Sequence, residues 1–573
     1  MSTLRAVTAS PSAASGAARS AVACYPLHAS SSSSAAAAAA SAAALPASSP
    51  PTLLSLIDGR WTGAASGRTV AVFSPAEPAA AGGAALALVP DMGEADTRAA
   101  VAAAARAFPA WAARSAFERA AVVRRMFELL SAAADGVGAL LSLEAGKPLA
   151  EAVGEVRYAA DFLEWYAEEG RRAYGQVLPA QRADRRVLVL QQPVGPCALL
   201  SPWNFPAAMP ARKLAPALAA GCTVVLRPSI DTPLSALALA RVAQEAGLPP
   251  GVLNVVLGTS HEETAAVLCA APEVRKLSFT GSTGVGKLLA AACAPTLKRL
   301  SLELGGSAPF IVFADADVEG AVEGALQSKF RNAGQTCVCA NALFVHASLH
   351  DRFVERLAAR VAALRVGDGL VPGVQVGPLI SERALARCEA LVADAVARGA
   401  SVAAGGRRCA ASANGGSGFF FEPTVLTGCD TSMRCVGEEV FAPLAPVVRF
   451  ETEAEVLALA NASAVGLAAY FYTADHARAW RVAEALQVGM VGINTGLIST
   501  AAAPFGGVKD SGYGREGAAQ GLNEYLQVRA RALARARAHA PNAGAGAVAD
   551  ANAFLRCAPP SFLLQTKYVM HAL

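Results

Sequence analysis

Apolar positions recur at three- and four-residue spacing through Ala99 to Ala113, Phe117 to Ala133 and Leu149 to Arg172, a period that predicts three helices. Short apolar runs bounded by Gly or Pro follow: Val187-Leu188-Val189-Leu190, Cys197 to Leu200, Thr223-Val224-Val225-Leu226, Val252 to Leu257 and Lys276 to Phe279. These read as buried strands. Helical stretches such as Pro233 to Ala246 separate several of them, so the chain is expected to build a parallel α/β sheet. A second alternation begins near Pro309 and ends near Asn494, which predicts a second α/β lobe.

Composition agrees with a multi-domain globular protein. The chain has 573 residues, 54% of them hydrophobic and 16% charged, enough to bury a large core. Its apolar runs are Ala-rich, short and interrupted by Gly, Pro or charge, well below a membrane-spanning helix. The net charge of +4 is too small to argue for a nucleic-acid partner. Twelve cysteines without a C-x-x-C repeat read as reduced thiols, neither a disulfide scaffold nor a metal site. The first fifty residues differ from the rest, with Arg5, Arg19, abundant Ser and Ala, and no acid before Asp58. That is the composition of a transit peptide, with a mitochondrial destination expected and a plastid as the alternative; plain low complexity is the competing explanation.

Candidate chemistry lies in three segments. Cys337, in Gly334-Gln335-Thr336-Cys337, offers a nucleophile, and Glu303, in Leu302-Glu303-Leu304-Gly305-Gly306, offers a base. A thiol that attacks an aldehyde gives a thiohemiacetal, which can lose hydride to a nicotinamide; the resulting thioester then needs a base-activated water. None of the seven histidines flanks either segment, so a Cys-His pairing has no local support. Asn204, in Ser201-Pro202-Trp203-Asn204-Phe205-Pro206, follows a buried strand and can aim its amide at an oxyanion together with the nucleophile's backbone N–H. Singly, each segment is equally a packed Cys, a solvated Glu or a Pro-bracketed loop.

Taken together, these motifs resemble the aldehyde dehydrogenase superfamily from about Leu54 to about Gln527. The resemblance implies two α/β lobes, a Rossmann-like cofactor lobe over 51–178 and 195–303 and a catalytic lobe over 304–503, plus a β oligomerisation element over 179–194 and 504–573. It implies a homotetramer or homodimer, and NADP or NAD as cofactor. Gly281-Ser282 after Phe279-Thr280 matches the pyrophosphate segment, a weak glycine signal by itself. Glu439 and Phe441 match the nicotinamide-ribose segment, in which Ala442 replaces the usual Gly and puts the turn in question. Trp203, Ser229, Gly258 and Leu304 fall at further cofactor positions. Arg227 stands where the family usually has a ribose-binding Lys, and Ile230 where NAD-preferring members carry Glu. Loss of that acid and gain of a guanidinium favour acceptance of a 2′-phosphate.

Within the family, Arg212, Arg331 and Ser499 match the carboxylate-binding positions of succinate-semialdehyde dehydrogenases. Two guanidiniums and a hydroxyl suit a semialdehyde with one charge at a fixed distance from its aldehyde. The resemblance implies oxidation of succinate semialdehyde to succinate, as in 4-aminobutyrate degradation. A related semialdehyde such as glutarate semialdehyde is the alternative, as is a catalytically silent protein on the same fold; a CoA-acylating enzyme would not need Glu303. Cys339, two residues from Cys337, is either a redox partner for it or a buried inert thiol.

The C-terminal region departs from the family. Asn523-Glu524-Tyr525-Leu526-Gln527 matches its final motif, but Thr566-Lys567-Tyr568-Val569, expected directly afterwards, arrives only after an Ala-, Arg- and Pro-rich stretch, Val528 to Gln565. A Val codon begins GT and a Gln codon can end AG, the boundary dinucleotides of an intron. The stretch reads as an unpacked insertion translated from an intron, with a basic interaction tail as the alternative.

Overall fold

A computed structural model describes residues 50–409 and 418–534. The leader and the chain beyond Ala534, including Gln565 and Thr566-Lys567-Tyr568-Val569, lie outside the described residues. After two short antiparallel strand pairs between Ser55 and Pro90, the first lobe has four helices in succession: α1 (Glu94–Ala113), α2 (Ala116–Ala132), α3 (Ala134–Ala145) and α4 (Leu149–Glu169). The start of α2 is fixed by a capping box in which Glu118 N–H donates to Ser115 Oγ at 3.3 Å and Ser115 N–H donates to Glu118 Oε2 at 2.8 Å. Helix α3 escaped the periodicity because it is buried around most of its circumference and so carries no polar stripe.

Strands β1 (Gln176–Leu178), β2 (Arg185–Pro193) and β3 (Cys197–Leu200) follow, then α5 (Ala208–Ala220), β4 (Val224–Arg227), α6 (Leu234–Glu245), β5 (Leu253–Val255), α7 (His261–Ala270), β6 (Lys276–Thr280), α8 (Thr283–Cys293) and β7 (Arg299–Glu303). The second lobe contains β8 (Ala308–Val312), α9 (Val318–Lys329), β9 (Ala340–His346), β10 (Ser401–Ala404), β11 (Thr424–Cys429), β12 (Leu444–Phe450), β13 (Ala468–Tyr472) and β14 (Met490–Ile493); β15 (Gly512–Tyr513) and β16 (Leu526–Ala534) end the described chain.

The sheets are a six-stranded one in the order β15-β7-β6-β3-β4-β5 and a seven-stranded one in the order β10-β11-β12-β9-β8-β13-β14. Both are parallel except at one edge, where β15 runs against β7 and β10 against β11. The continuous apolar runs had predicted parallel strands buried on both faces, and β3 and β4 are fully buried beneath α4 and α5. Because β3 to β7 are parallel, the residues at or just beyond their C-terminal ends, Ser201, Arg227, Gly258, Gly281 and Glu303 among them, emerge along one edge of the sheet. That edge is the crevice where open α/β sheets bind ligands.

A three-stranded antiparallel sheet, β16-β2-β1, joins the two segments assigned to the oligomerisation element. Here the sequence reading needs correction. Residues Val528–Ala534 are not an unpacked insertion: they continue β16 and pair in register with β2 from Val528 opposite Gln191 to Ala534 opposite Arg185. The segment Val-Arg-Ala-Arg-Ala-Leu-Ala alternates small apolar residues with longer ones, a period of two that suits a strand. The ladder itself is made by backbone groups.

Joining Gln527 directly to Thr566 by deleting Val528 through Gln565 is expected to preserve this ladder, since Thr-Lys-Tyr-Val has the β-branched and aromatic content of a strand. Ending the chain at Gln527 instead strips β2 of most of one of its two neighbours and leaves β1 on the other side. Thermal melting and size-exclusion chromatography should show the junction variant assembling like the parent and the truncated one losing assembly and stability; equal loss in both would tie assembly to residues 528–534 themselves. Sequencing transcripts across the junction tests the intron origin directly.

Candidate active site

A cavity of about 870 Å³ opens between the lobes at the crevice edge. Its lining includes Trp203, Asn204, Gly281, Ser282, Glu303, Leu304, Cys337, Glu439 and Phe441, and from the second lobe Arg383 and Arg387. The fold thus gathers nucleophile, carboxylate, amide and glycine turn around one space. The volume is in the range of cofactor pockets and far exceeds the need of a small aldehyde. Ser282 caps α8 without a side-chain hydrogen bond to its own helix, which leaves its hydroxyl and the helix N-terminus available to a pyrophosphate. These residues fit a dinucleotide.

Cys337 sits after a strained turn. Asn332, Ala333 and Gly334 lie in succession in the left-handed region, with φ of 51°, 52° and 75°. At Gly334 a Cβ would come within 2.2 Å of the Ala442 carbonyl oxygen, so only glycine fits. Hydrogen bonds hold the turn: Asn332 N–H donates to Glu151 Oε2 at 2.8 Å, Asn332 Nδ2 to Gln335 O at 3.1 Å, and Ile380 N–H to Gln335 Oε1 at 2.9 Å. Asn204 is tied to the same turn, its Nδ2 donating to Gln335 O at 3.0 Å. One N–H of that amide is therefore committed to protein, and the other can serve an oxyanion.

Electrostatics separate the two reactive groups. Burial pushes the Cys337 thiol up to about 12, against the pull of Arg212 and Arg331, so the resting group is a neutral thiol. Burial, followed by repulsion from Glu516, raises Glu303 well above the carboxylate range. Neither oxygen of Glu303 has a hydrogen-bond partner. Glu516 itself is paired with Arg212 and with Lys213. Sequence reading missed Glu516 because an isolated Arg-Glu-Gly turn carries no signal of what it will meet.

On the second-lobe side of the cavity, Gly306 N–H donates to Glu439 Oε1 at 3.0 Å, and burial raises that carboxyl to about 7. Phe441 meets Trp203 edge-on at 5.7 Å and takes the positive φ of this turn, 52°. Ala442 has no positive φ, so the turn tolerates its side chain. At the end of β4, burial lowers Arg227 to about 10; Arg227 Nη2 donates to Gly258 O at 3.3 Å and contacts His261 Nδ1. Ser229 Oγ donates to Asp231 Oδ2 at 3.1 Å, and Ile230 with Asp231 borders a smaller adjacent cavity.

Arg212, Arg331 and Ser499 do not line the main cavity. Arg212 is buried, with its guanidinium 4.0 Å from the Phe505 ring centroid; Arg331 lies 5.5 Å from that of Phe205. Both act electrostatically on Cys337 and on Tyr158, a residue of α4 whose buried hydroxyl is unpaired. Tyr158 was not legible beforehand. Ser499 is half-buried, and no hydrogen bond joins it to either arginine among the described residues. The Cys339 thiol points to the carbonyls of Lys329 and Ala340, at 3.5 and 3.4 Å, and would have to leave both to bridge Cys337.

The family model described as "Aldehyde dehydrogenase family" matches residues 61–530. The chain is 53% identical over 475 residues to the succinate-semialdehyde dehydrogenase [NADP(+)] of Escherichia coli, covering 83% of this chain and 96% of that one. It is 52% identical over 473 residues to the glutarate-semialdehyde dehydrogenase of Pseudomonas aeruginosa, covering 82% and 96%. The crystal structure of succinate-semialdehyde dehydrogenase from Burkholderia pseudomallei superposes with a TM-score of 0.81 at 52% identity, covering 84% of this chain and 98% of that one.

The loop that carries Asn204 rests on a buried ion pair. Lys147 binds Glu155, its ammonium lies 3.5 Å from the Phe205 ring centroid, and Glu155 Oε1 accepts from Ala207 N–H at 2.9 Å and Ala208 N–H at 3.2 Å. Glu155→Ala leaves the Lys147 charge and two amides unpaired, so denaturant unfolding should show a loss of about 3–5 kcal/mol. A loss below about 1 kcal/mol, the level of an exposed pair, would mean that the support is dispensable.

Proposed function

Because the chain belongs to the aldehyde dehydrogenase family, we propose that it oxidises succinate semialdehyde to succinate with NADP or NAD. What supports the substrate reading is that Arg212 and Arg331, seated 4.0 Å from the Phe505 ring centroid and 5.5 Å from that of Phe205, lie near enough to Cys337 for both charges to favour its thiolate. A carboxylate at the far end of a four-carbon semialdehyde accepts charge-assisted hydrogen bonds from them while its aldehyde meets the sulfur. Glutarate semialdehyde, one methylene longer, is the second reading and has a curated relative of nearly equal identity behind it. An inactive protein on this fold would have no reason to keep Cys337, Glu303 and Asn204 around one cavity.

Cys337 attacks the aldehyde carbon; because the resting thiol is neutral, its S–H proton passes to solvent water as the S–C bond forms and the carbonyl oxygen takes the negative charge. The Cys337 backbone N–H and the free N–H of Asn204 receive the developing oxyanion. When bound, the dinucleotide supplies a two-electron acceptor at the nicotinamide, which Glu439 and Phe441 position. Oxidation of the thiohemiacetal leaves a thioester on Cys337. Glu303, ionised, takes a proton from water so that hydroxide adds to the thioester and the carboxylate product departs.

A leader without acidic residues supports import into an organelle, with the mitochondrion favoured over the plastid. Assembly as a homodimer or homotetramer is supported by apolar side chains left exposed on the three-stranded sheet, Val177 at 70% and Val528 at 66%. A panel of semialdehydes assayed with each cofactor tests the reading as a whole.

Cys337→Ala should abolish turnover, whereas Glu303→Gln should still give a burst of reduced cofactor and then a slow steady state. Undiminished turnover of the Cys337 variant removes this mechanism. For the parent, the raised pKa means that Glu303 stays protonated where ordinary carboxylates are ionised, so steady-state turnover should climb with pH to a plateau, with its midpoint above the normal carboxylate range. A profile flat from pH 5 upward would show that Glu303 is not the base.

Arg331→Ala should raise KM for succinate semialdehyde roughly ten- to a hundredfold, the worth of a charge-assisted contact, and leave butanal nearly unaffected. Arg212→Ala should do the same with added loss of stability, because it strands Glu516. Equal penalties for charged and uncharged aldehydes would assign both arginines to the fold alone.

A further inference from the structure

Strand β4 is the neighbour of β3 at the crevice, and in dinucleotide-binding sheets the residue just past that second strand reads the ribose 2′ position. In this chain the position is Arg227, followed by Pro228-Ser229-Ile230-Asp231. The N-terminus of α7 faces it with His261, an exposed side chain whose Nδ1 contacts Arg227 Nη2. A guanidinium can only donate, so His261 is neutral in this contact, with its proton on Nε2. Nothing in the proposed reaction uses this histidine.

The charges around His261 are Arg227 from β4, Asp231 from the turn beyond it, and Glu262 and Glu263 on its own helix. From the segment before α1, Asp91 accepts from Thr259 N–H at 2.8 Å and is engaged by Arg68 at 3.4 Å. Burial, then Arg227, holds the imidazole below its ordinary value, with Asp231 opposing.

We propose that Arg227 and His261 together form a titratable seat for the 2′-phosphate of NADP, so that NADP binding takes up a proton at His261 and the preference for NADP over NAD falls as pH rises. This rests on the cofactor reading given above. Without the phosphate, the guanidinium and the neutral imidazole satisfy each other. A 2′-phosphate brings two negative charges toward a site that already contains Asp231, and Arg227 alone cannot balance them. A proton from solvent on Nδ1 turns His261 from an acceptor for Arg227 into a second donor for the phosphate oxygens. NAD carries a 2′-hydroxyl in that place and makes no such demand.

The sign follows from linkage. The phosphate raises the histidine's pKa above its value in the free protein, so the NADP advantage is complete below the free-protein value and is lost as pH climbs through the value in the complex. The second ionisation of a phosphate monoester lies near pH 6, so above about pH 7 the ligand's own charge is constant.

Isothermal titration of the full-length protein with NADP and with NAD, from pH 7 to pH 9 in two buffers of different ionisation enthalpy, tests the assignment without reference to turnover. The NADP-to-NAD affinity ratio should fall roughly tenfold over that range, the effect of about one pKa unit of differential protonation, with proton uptake on NADP binding that NAD does not produce. His261→Gln keeps a hydrogen-bond acceptor but cannot be protonated; it should flatten the pH dependence and abolish the uptake. A parent protein with a constant ratio and no proton uptake overturns the proposal, as does an unchanged slope in the His261 variant. Failure of both dinucleotides to bind would overturn the cofactor reading beneath it.

Discussion

A carboxyl group shut away from water must be paired or must give up its charge, and two glutamates at the junction of the lobes take the two courses. Glu516 keeps its charge: burial opposes it, but Arg212 and Lys213 together hold the carboxylate below its ordinary value. Glu303 has no such partner and is raised by burial and by Glu516 itself. The arrangement is asymmetric by construction. Cationic residues at consecutive positions of α5 are drawn to the segment that follows the second lobe, and the carboxylate they pair with there adds to burial in raising Glu303, while their own charges oppose it. Folding and catalysis share these contacts, since Lys213 also reaches Ser278 on β6 and so links helix, sheet and C-terminal turn.

The nucleophile is treated in the same way. Three consecutive left-handed residues place Cys337 where the sheet alone would not, and the strain persists because Glu151, Asn204 and the Gln335 side chain hold the turn from several directions. A thiol kept neutral by burial is protected from stray electrophiles. Its reactivity has to come from a change in surroundings, and of the charged groups that act on it the two that oppose the thiolate, Glu303 and Glu439, line the cavity.

How much of this could be read beforehand depended on range. Strands such as Cys197–Leu200 were legible because burial on both faces writes an uninterrupted apolar run, and Cys337, Glu303 and Asn204 were legible because each sits in a short motif whose neighbours are fixed by the same turn. Helix α3 was not, since burial all round erases the stripe that marks a helix. Tyr158, Glu516 and His261 were not either: each acquires its meaning from a residue far away in sequence, and one chain without relatives carries no record of such pairs. The chain was also misread after Gln527, where Arg-rich composition hid an alternation of two that suffices for a strand once β2 offers its backbone.

That strand bears on what an oligomerisation element requires. In β16 the hydrogen-bond ladder runs along all of β2, so its existence depends on backbone groups and on the absence of proline more than on particular side chains. Side chains decide what each face can meet: the register places Val177 with Leu188, Arg529 and Arg531 on one face, and Val528 with Ala530 and Ala532 on the other, more apolar one. A segment in this position can therefore keep its pairing with β2 whatever its side chains, while altering the surface that the strand presents. Selection on fold would not remove it, whereas selection on assembly would act on the alternating arginines.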